Sequence, residues 1–580
     1  MPILTSATAF FTLLSLINAK CYDPSPAFPV PHWSNGPNAF QPAFDGLEKK
    51  LAKLVEDGKY NTSSFSIEVT SDAATLWSHY HSAREHNATR PGAAHVDGDS
   101  IYRIASITKT FTVLSILQQH AAGNLSLDDP VSLYIPELSG PDSGEIPWKD
   151  ITLRILASQL SGIPRETEQS DLINGDENPL KLGLPPASRK GLPDCYEYGA
   201  SRSCNRTDLL EGLRRKSPVF APNQKSTYSN AAFELLGLVI ENVTGVNYSE
   251  YVQQAIFDPI GMTSSSLAKP SDHHAVLPLG PNFWDWDEGV HSPTGGIYSS
   301  SSDMDKYVRY VLTHYNAIAT GVNWLMPASW ATGLNSFYGM PFEIYRQAVL
   351  NDTKRPVTFV TKGGAVPGYF SDIVLMPDYG LGLTILTAGD SSLVHKIQEM
   401  VTVDIVQAAE DLIWKEIGEA YTGSYVATNA SLNSSIELVS SSSKGLYLQS
   451  FISNGTDVWE ALAAFFGPYG GAGLDEPWRA QIIPTLLYKD EEAQQGEIWR
   501  VVVAPERQEE MSPWDEFCNT DVDGLMYAGL PLNEVVFWHE EGVVELPAWR
   551  VTMKRKESDG TAQRLVLQTM RDWAGGSFLS

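Results

Sequence analysis

At 580 residues, with 43 % hydrophobic and 10 % aromatic residues, the chain can fill large packed cores, and its length predicts two to four domains. That composition argues against global disorder. The formal net charge of −28 argues against nucleic acid and anionic membrane surfaces as default partners.

The N-terminal stretch MPILTSATAFFTLLSLINAKC carries an apolar run that ends in small residues near Ala19. Residues 1–19 therefore read as a secretory signal peptide. The run is short for a membrane span and contains Ser, Thr and Asn, and no later stretch is long and apolar enough to cross a bilayer. Export agrees with ten Asn-x-Ser/Thr sequons, at Asn61, Asn87, Asn124, Asn205, Asn242, Asn247, Asn351, Asn429, Asn433 and Asn454. The expectation is a secreted, extracellular glycoprotein. The four cysteines, Cys21, Cys195, Cys204 and Cys518, allow three pairings. The short loop between Cys195 and Cys204 favours that pair, which would leave Cys21 with Cys518. No cysteine or histidine spacing resembles a zinc site, so no metal is expected.

From about residue 40 to 415, helix and strand patterns alternate. AFDGLEKKLAKLVEDG has helical apolar spacing and stops at Gly58. SSFSIEVT and ATLWSHY alternate like a strand pair. SITKTFTVLSILQQHAAG, NAAFELLGLVIENVTG, YSEYVQQAIFDPIG and SSDMDKYVRYVLTHY follow as helices, the last with Ser301 or Ser302 as N-cap. PVTFVTKGG, FSDIVLMPD and LGLTILTAGD read as three strands before a long final helix. Helices gathered on an antiparallel sheet built from both chain ends imply an α+β domain over residues 20–415. Near residue 418 the composition turns to short apolar runs among Ser and Gly, which predicts a separate all-β domain over residues 416–580.

Three short motifs carry chemistry. Ser-x-x-Lys occurs as Ser106/Lys109, Ser266/Lys269 and Ser441/Lys444, but only the first opens a long apolar helix. There the Ser hydroxyl lies near unpaired N–H groups, and one turn puts Lys109 on its face. Burial would lower the Lys pKa and leave an amine able to take the Ser proton. The bland alternative is a helix cap beside a solvated charge. Tyr228-Ser229-Asn230 is the one Tyr-x-Asn in the chain and precedes a helix. A Tyr near two lysines can act as phenolate in proton transfer, and the Asn can bind a substrate amide and hold the first Lys. The alternative is a turn with a cap. Lys362-Gly363-Gly364 ends a strand, where glycine admits close approach and the N–H of Ala365 can meet an oxyanion together with that of Ser106. A rival Lys-x-Gly at Lys181 lies in a proline-rich loop, and the alternative for residues 362–368 is a plain glycine-rich hairpin.

With the three motifs in this order, the chain resembles the serine β-lactamase / penicillin-binding-protein superfamily, in its class C-like esterase branch. The likeness spans residues 40–415 and includes LDDPVSLYIPEL, ITLRILASQLSGIP and GGAVPGYFSDIVLMPDYGLG. The part that opens with YTGSY resembles the β-rich appendage of some fungal secreted members. The resemblance implies Ser106 as acylated nucleophile, Lys109 as its base and Tyr228 as partner in proton transfer. Asn230 would orient substrate and Lys362 would bind an anionic group, with Gly363, Gly364 and Ala365 lining the site. It implies no cofactor. The partner would be a small-molecule ester or amide, and the oligomeric state stays open. Two departures stand out: Gly363 replaces a hydroxyl residue of the family, and residues 165–225 look enlarged. An acyltransferase or transesterase would use the same residues, and a non-catalytic binding protein could share the fold. No Gly-x-Ser-x-Gly occurs, which argues against a Ser-His-Asp hydrolase. NFWDWDEGVHSP, residues 282–293, reads as a packed loop or as a pocket wall.

Overall fold

The computed structural model describes residues 28–33, 36–140, 142–167, 171–174, 178–192, 195, 202–350, 355–466, 478–505 and 525–556. Residues 1–19, Cys21, Asn351 and Cys518 lie outside the described residues. The described residues form two compact units, one within 36–347 and 357–404, the other within 28–33, 348–356 and 405–556.

The first unit begins with helix α1 (Pro37–Leu54) and the hairpin β1 (Ser64–Ser71) and β2 (Thr75–His81). Its buried helices are α2 (Thr108–Ala121), α3 (Ala231–Thr244) and α4 (Ser301–His314). Six more strands follow: β3 (Ser329–Trp330), β4 (Ser336–Tyr338), β5 (Glu343–Gln347), β6 (Val357–Val366), β7 (Tyr369–Met376) and β8 (Leu381–Ala388). They join in one antiparallel sheet ordered β2-β1-β8-β7-β6-β5-β4-β3. The first and last strands of this unit thus pair as β1–β8, as the sequence pattern implied. β1 and β8 are buried along their whole lengths, because helices cover both faces of the sheet there. On one side Phe44 of α1 stacks on Trp77 of β2 at 5.4 Å.

α2 is buried on nearly every side, with Phe111, Val113, Leu114, Ile116 and Leu117 enclosed together with the polar Lys109, Thr110, Thr112 and Ser115. A helix with no solvent face belongs in the middle of a core. α3 packs against it, and Gly237 of α3 allows the approach of Pro293, whose Cγ would lie 2.2 Å from an added Cβ. Two expected details differ. The cap of α4 is Ser300, whose hydroxyl accepts from Asp303 N at 3.3 Å, because Ser301 is already helical and turns to Glu68. The expected helix after Asn247 widens into a π turn over Gln253–Phe257, just before Pro259, whose ring and missing N–H prevent regular α pairing.

The last long helix, α5 (Ser392–Tyr421), runs past the expected change of composition, and its residues from Ile405 belong to the second unit. That unit contains strands β9 (Gly423–Ala427), β10 (Ser435–Ser441), β11 (Gly445–Ser453) and β12 (Trp478–Asp490). It continues with β13 (Gln495–Pro505), β14 (Glu534–Trp538), β15 (Val543–Leu546) and β16 (Val551–Arg555). Each strand pairs with the next and β16 returns to β9, so eight strands close into an up-and-down antiparallel barrel. Closure removes the exposed edges that a sheet of short strands would otherwise present. Glu497 is buried there and accepts from Tyr421 OH at 2.8 Å.

Gly382 of β8 lies beneath α4, and a Cβ there would stand 2.2 Å from Val308 Cγ1. Gly382→Ala is therefore expected to overpack this seam by about 1–3 kcal/mol. The measurement is a thermal melt, and an unchanged midpoint would contradict the close packing of α4 on β8.

Candidate active site

Strand residues Ile101–Arg103 lead into a tight turn, Ala105–Ile107, that opens α2. Ala105 adopts φ 46°, a left-handed conformation costly for a residue with a Cβ. The turn leaves Ser106 partly exposed while Lys109, one helical turn on, is fully buried. Lys109 Nζ donates to Ser106 Oγ at 3.0 Å and to Thr294 O at 2.9 Å. Tyr228 OH donates to the same Ser106 Oγ at 3.0 Å. Burial lowers the Lys109 pKa, and the positive Lys362 adds to this against the opposing pull of Tyr228. Burial would raise Tyr228, but Lys109 and Lys362 outweigh it and its pKa falls. The ammonium groups of Lys109 and Lys362 lie 5.2 and 5.4 Å from the Tyr228 ring centre.

The loop after α2's neighbouring short helix, residues 158–167, holds Tyr228 in place. Gln159, buried and in a left-handed conformation, accepts from Thr227 N at 2.8 Å through its carbonyl and from Ser229 N at 2.7 Å through its side chain. Ser229 Oγ donates to Pro164 O at 2.7 Å and accepts from Ala232 N at 3.1 Å. Ser229 thus serves as the capping side chain of α3, while Tyr228 is free to reach Ser106. Asn230 Nδ2 donates to Glu166 Oε1 at 2.5 Å rather than holding Lys109. Lys109 is already engaged by Ser106 and Thr294, and a carboxylate is the stronger acceptor for the amide. Burial raises the Glu166 pKa, Glu234 raises it further, and Arg165 opposes them.

Lys362, Gly363, Gly364 and Ala365 lie on β6, in register with Ile373, Asp372, Ser371 and Phe370 of β7. Lys362 Nζ donates to Glu343 Oε1 of β5 at 2.8 Å and to Gly363 O at 2.8 Å, and the residue is only 1 % exposed. Burial would lower its pKa, but Glu343 and Tyr228 override that and raise it. Asp372, buried behind this pair, is raised well above the usual carboxylate range by burial, with Glu343 adding to the effect. A Cβ on Gly364 would stand 2.3 Å from Ile104 O and 3.1 Å from Ser106 N. Gly364 therefore lets β6 touch the Ser106 turn, and Ser371 Oγ, donating to Ile104 O at 2.8 Å, ties β7 to the same turn. Gly363 is different: its nearest neighbour to an added Cβ is Glu343 Oε2 at 3.8 Å, so the missing hydroxyl is not a matter of space.

Ser106, Lys109, Tyr228, Asn230 and Lys362 thus converge from three separate segments. The rival motifs are used differently. Lys269 pairs with Asp285 at 2.8 Å, and Ser441 and Lys444 close the turn between β10 and β11. Lys181 lies in a short 3₁₀ turn, Pro179–Leu182. Residues 282–293 form a packed loop: Trp284 is fully buried, Glu288 pairs with Arg103, and His291 Nδ1 meets Glu234 Oε1 at 2.7 Å. Cys195 and Cys204 form a disulfide, with Cα atoms 4.9 Å apart. Among the described residues, every sequon asparagine is at least partly exposed, and no helix is long and apolar enough to cross a membrane. Glu166, Glu343 and Asp372 carry no motif of their own, because only the return of a loop and the register of β5–β7 bring them to the site.

This α+β fold, with a serine hydroxyl shared by a buried lysine and a tyrosine, defines an enzyme of the serine β-lactamase-like hydrolase class. Residues 44–404 match the family profile described as Beta-lactamase, and residues 414–557 match that of a Beta-lactamase-like-like, C-terminal domain. The chain belongs to the beta-lactamase family. It is 31 % identical over 528 residues to a probable hydrolase of Phoma sp., covering 89 % of this chain and 87 % of the relative. A probable hydrolase of Cochliobolus lunatus is 30 % identical over 586 residues, with 94 % of each chain covered. A class C beta-lactamase crystal structure superposes with a TM-score of 0.48 at 19 % identity, over 63 % of this chain and 98 % of that one.

The two glycines make opposite predictions. Gly364→Ala should lower the thermal midpoint by the equivalent of about 1–3 kcal/mol of overpacking, whereas Gly363→Ser should leave it nearly unchanged. Equal effects of the two substitutions would refute the contact between β6 and the Ser106 turn.

Proposed function

We propose that the protein is a secreted serine hydrolase that cleaves an ester or amide through an acyl-enzyme on Ser106. The observation that carries this reading is the sharing of Ser106 Oγ by Lys109 Nζ and Tyr228 OH, each at 3.0 Å. A neutral Lys109 amine, with Tyr228, takes the Ser106 proton as Oγ bonds to the substrate carbonyl. The N–H groups of Ser106 and Ala365 receive the oxyanion. The tetrahedral adduct collapses, and the leaving group departs with the proton returned through Lys109 and Tyr228. Water then attacks the acyl-enzyme, Tyr228 accepts its proton, and Ser106 regains its hydrogen as the acid leaves.

Lys362 acts on this chemistry through its charge, which helps keep Lys109 and Tyr228 deprotonated. Because Glu343 already compensates that charge and Gly363 offers no hydroxyl, a neutral ester suits the site better than a substrate with a carboxylate at this edge. Secretion is supported by the N-terminal apolar segment, by the disulfide, and by sequon asparagines at the surface, which we take as glycosylation sites.

A fluorophosphonate probe should add mass to the Ser106 peptide of the folded protein. Lys109→Ala and Tyr228→Phe should each reduce turnover of a chromogenic short-chain ester by about two orders of magnitude or more. No adduct on Ser106, or near-wild-type rates in either variant, would refute the mechanism. The pH dependence has a definite sign. Activity needs neutral Lys109, so kcat/KM falls as pH drops below that group's lowered pKa. Lys362→Met removes a positive neighbour and leaves Glu343 unpaired, and both changes raise the Lys109 pKa. The acid limb should move to higher pH; a limb that stays or moves down would contradict the assigned coupling.

A further inference from the structure

Lys109 Nζ, Lys362 Nζ and the Arg165 guanidinium lie 5.2, 5.4 and 4.6 Å from the centre of the Tyr228 ring. Two of these cations are out of a solute's reach. Lys109 is fully buried and held by Ser106 and Thr294, and Lys362 is 1 % exposed with its charge taken by Glu343 at 2.8 Å. Arg165 differs, because its side chain is 63 % exposed. Ser106 and Tyr228 also keep some exposed surface. A substrate that reaches the serine therefore meets Arg165 as the accessible cation of the three.

The residue is anchored as well as exposed. Its carbonyl accepts from Asn230 N at 2.8 Å and from Ala231 N at 3.2 Å, which fixes it to the start of α3. Arg165 Nε lies 3.2 Å from Glu166 Oε1, an oxygen already shared with Asn230 Nδ2. That contact occupies the inner edge of the fork and leaves the two terminal nitrogens, which no hydrogen bond engages among the described residues. Two parallel N–H groups on a planar cation match a carboxylate. Glu166 compensates the charge incompletely, because burial pushes its own pKa up.

The position also selects a part of the substrate. Ser106 Oγ is 3.0 Å from Tyr228 OH, and half a ring separates that hydroxyl from the centre beside which Arg165 sits. In the acyl-enzyme scheme Tyr228 helps return the proton to the leaving group, so that group departs beside this tyrosine. A carboxylate held about one aromatic ring away from the ester oxygen comes within reach of the guanidinium. An anion that finds Lys362 already neutralised is accepted at Arg165.

We propose that Arg165 is a specificity residue that recognises a carboxylate on the leaving alcohol of the ester. This rests on the acyl-enzyme reading above and narrows its substrate class to hydroxy acids acylated on their hydroxyl group.

The test uses the full-length protein and two matched esters, 4-acetoxybenzoate and 4-acetoxybenzamide, which differ in the charge on the leaving phenol. Each kcat/KM is divided by that ester's own rate of alkaline hydrolysis. For wild type the corrected value for the carboxylate should exceed that for the amide by about threefold or more. Arg165→Gln should bring the ratio to one or below, because the rest of a chain with net charge −28 repels anions. Lys53→Gln, which removes an equal charge from the exposed side of α1, should leave the ratio as in wild type. A wild-type ratio of one or less overturns the proposal, even if Arg165→Gln does not fold. So does an equal loss for both esters in Arg165→Gln, which would make Arg165 act through Tyr228 and not on the substrate. The same drop in ratio for Lys53→Gln would assign the preference to overall charge and overturn the proposal too. If neither ester acetylates Ser106, the acyl-enzyme reading itself fails and the specificity site falls with it. Turnover of the amide without a carboxylate preference removes the specificity site alone.

Discussion

A lysine ammonium with no exposed surface sits one helical turn from a serine hydroxyl, and the first unit is arranged around the cost of keeping it there. Water would hold that group charged and inert. Inside the seam between α2 and α3 the charged form is penalised, and the Lys109 pKa falls. Thr294 O and Ser106 Oγ hold the amine at 2.9 and 3.0 Å with the Tyr228 hydroxyl beside it, which orients the amine while burial still lowers its pKa. The same burial that lowers the Lys109 pKa therefore works against stability.

The remaining charges follow from this arrangement. Tyr228 can fall below the usual phenol range because two lysines face its ring, and Lys362 can remain charged in a buried strand because Glu343 neutralises it. Asp372, enclosed behind that pair with a second carboxylate nearby, is pushed toward its neutral form. The site is thus a buried network in which each group's protonation depends on the others. Its titration belongs to the set rather than to any one residue.

Backbone geometry supplies the second constraint. Ser106 is held on a strained turn whose carbonyl at Ile104 is gripped by Ser371, while Gly364 lets β6 come within contact of its N–H. The tyrosine arrives on a different support. The buried turn at Gln159 and the carbonyl of Pro164 bind both sides of Ser229 and leave Tyr228 projecting between them. The phrase ITLRILASQLSGIP, which carried part of the family resemblance, therefore has a physical role as the bracket that holds the second motif.

Whatever depends on neighbours along the chain was legible in the order of residues alone. Ser106 and Lys109 share a face because a helix repeats every few residues, and an apolar helix around them implies burial. Gly364 and the alternating strands mark a sheet that can approach closely, and the short runs after residue 418 mark an all-β unit, though not that its ends meet to form a barrel. Which charges confront each other emerged only when distant segments packed together. Glu343 reaches Lys362 from the end of β5, where its own register partner is Thr361, and Glu166 reaches Asn230 through a loop that returns to the start of α3. Motif spacing contains no information about such cross-chain pairings, because they are set by packing of segments far apart in sequence. They set the charges around Ser106, whereas the local motifs place that serine beside its lysine.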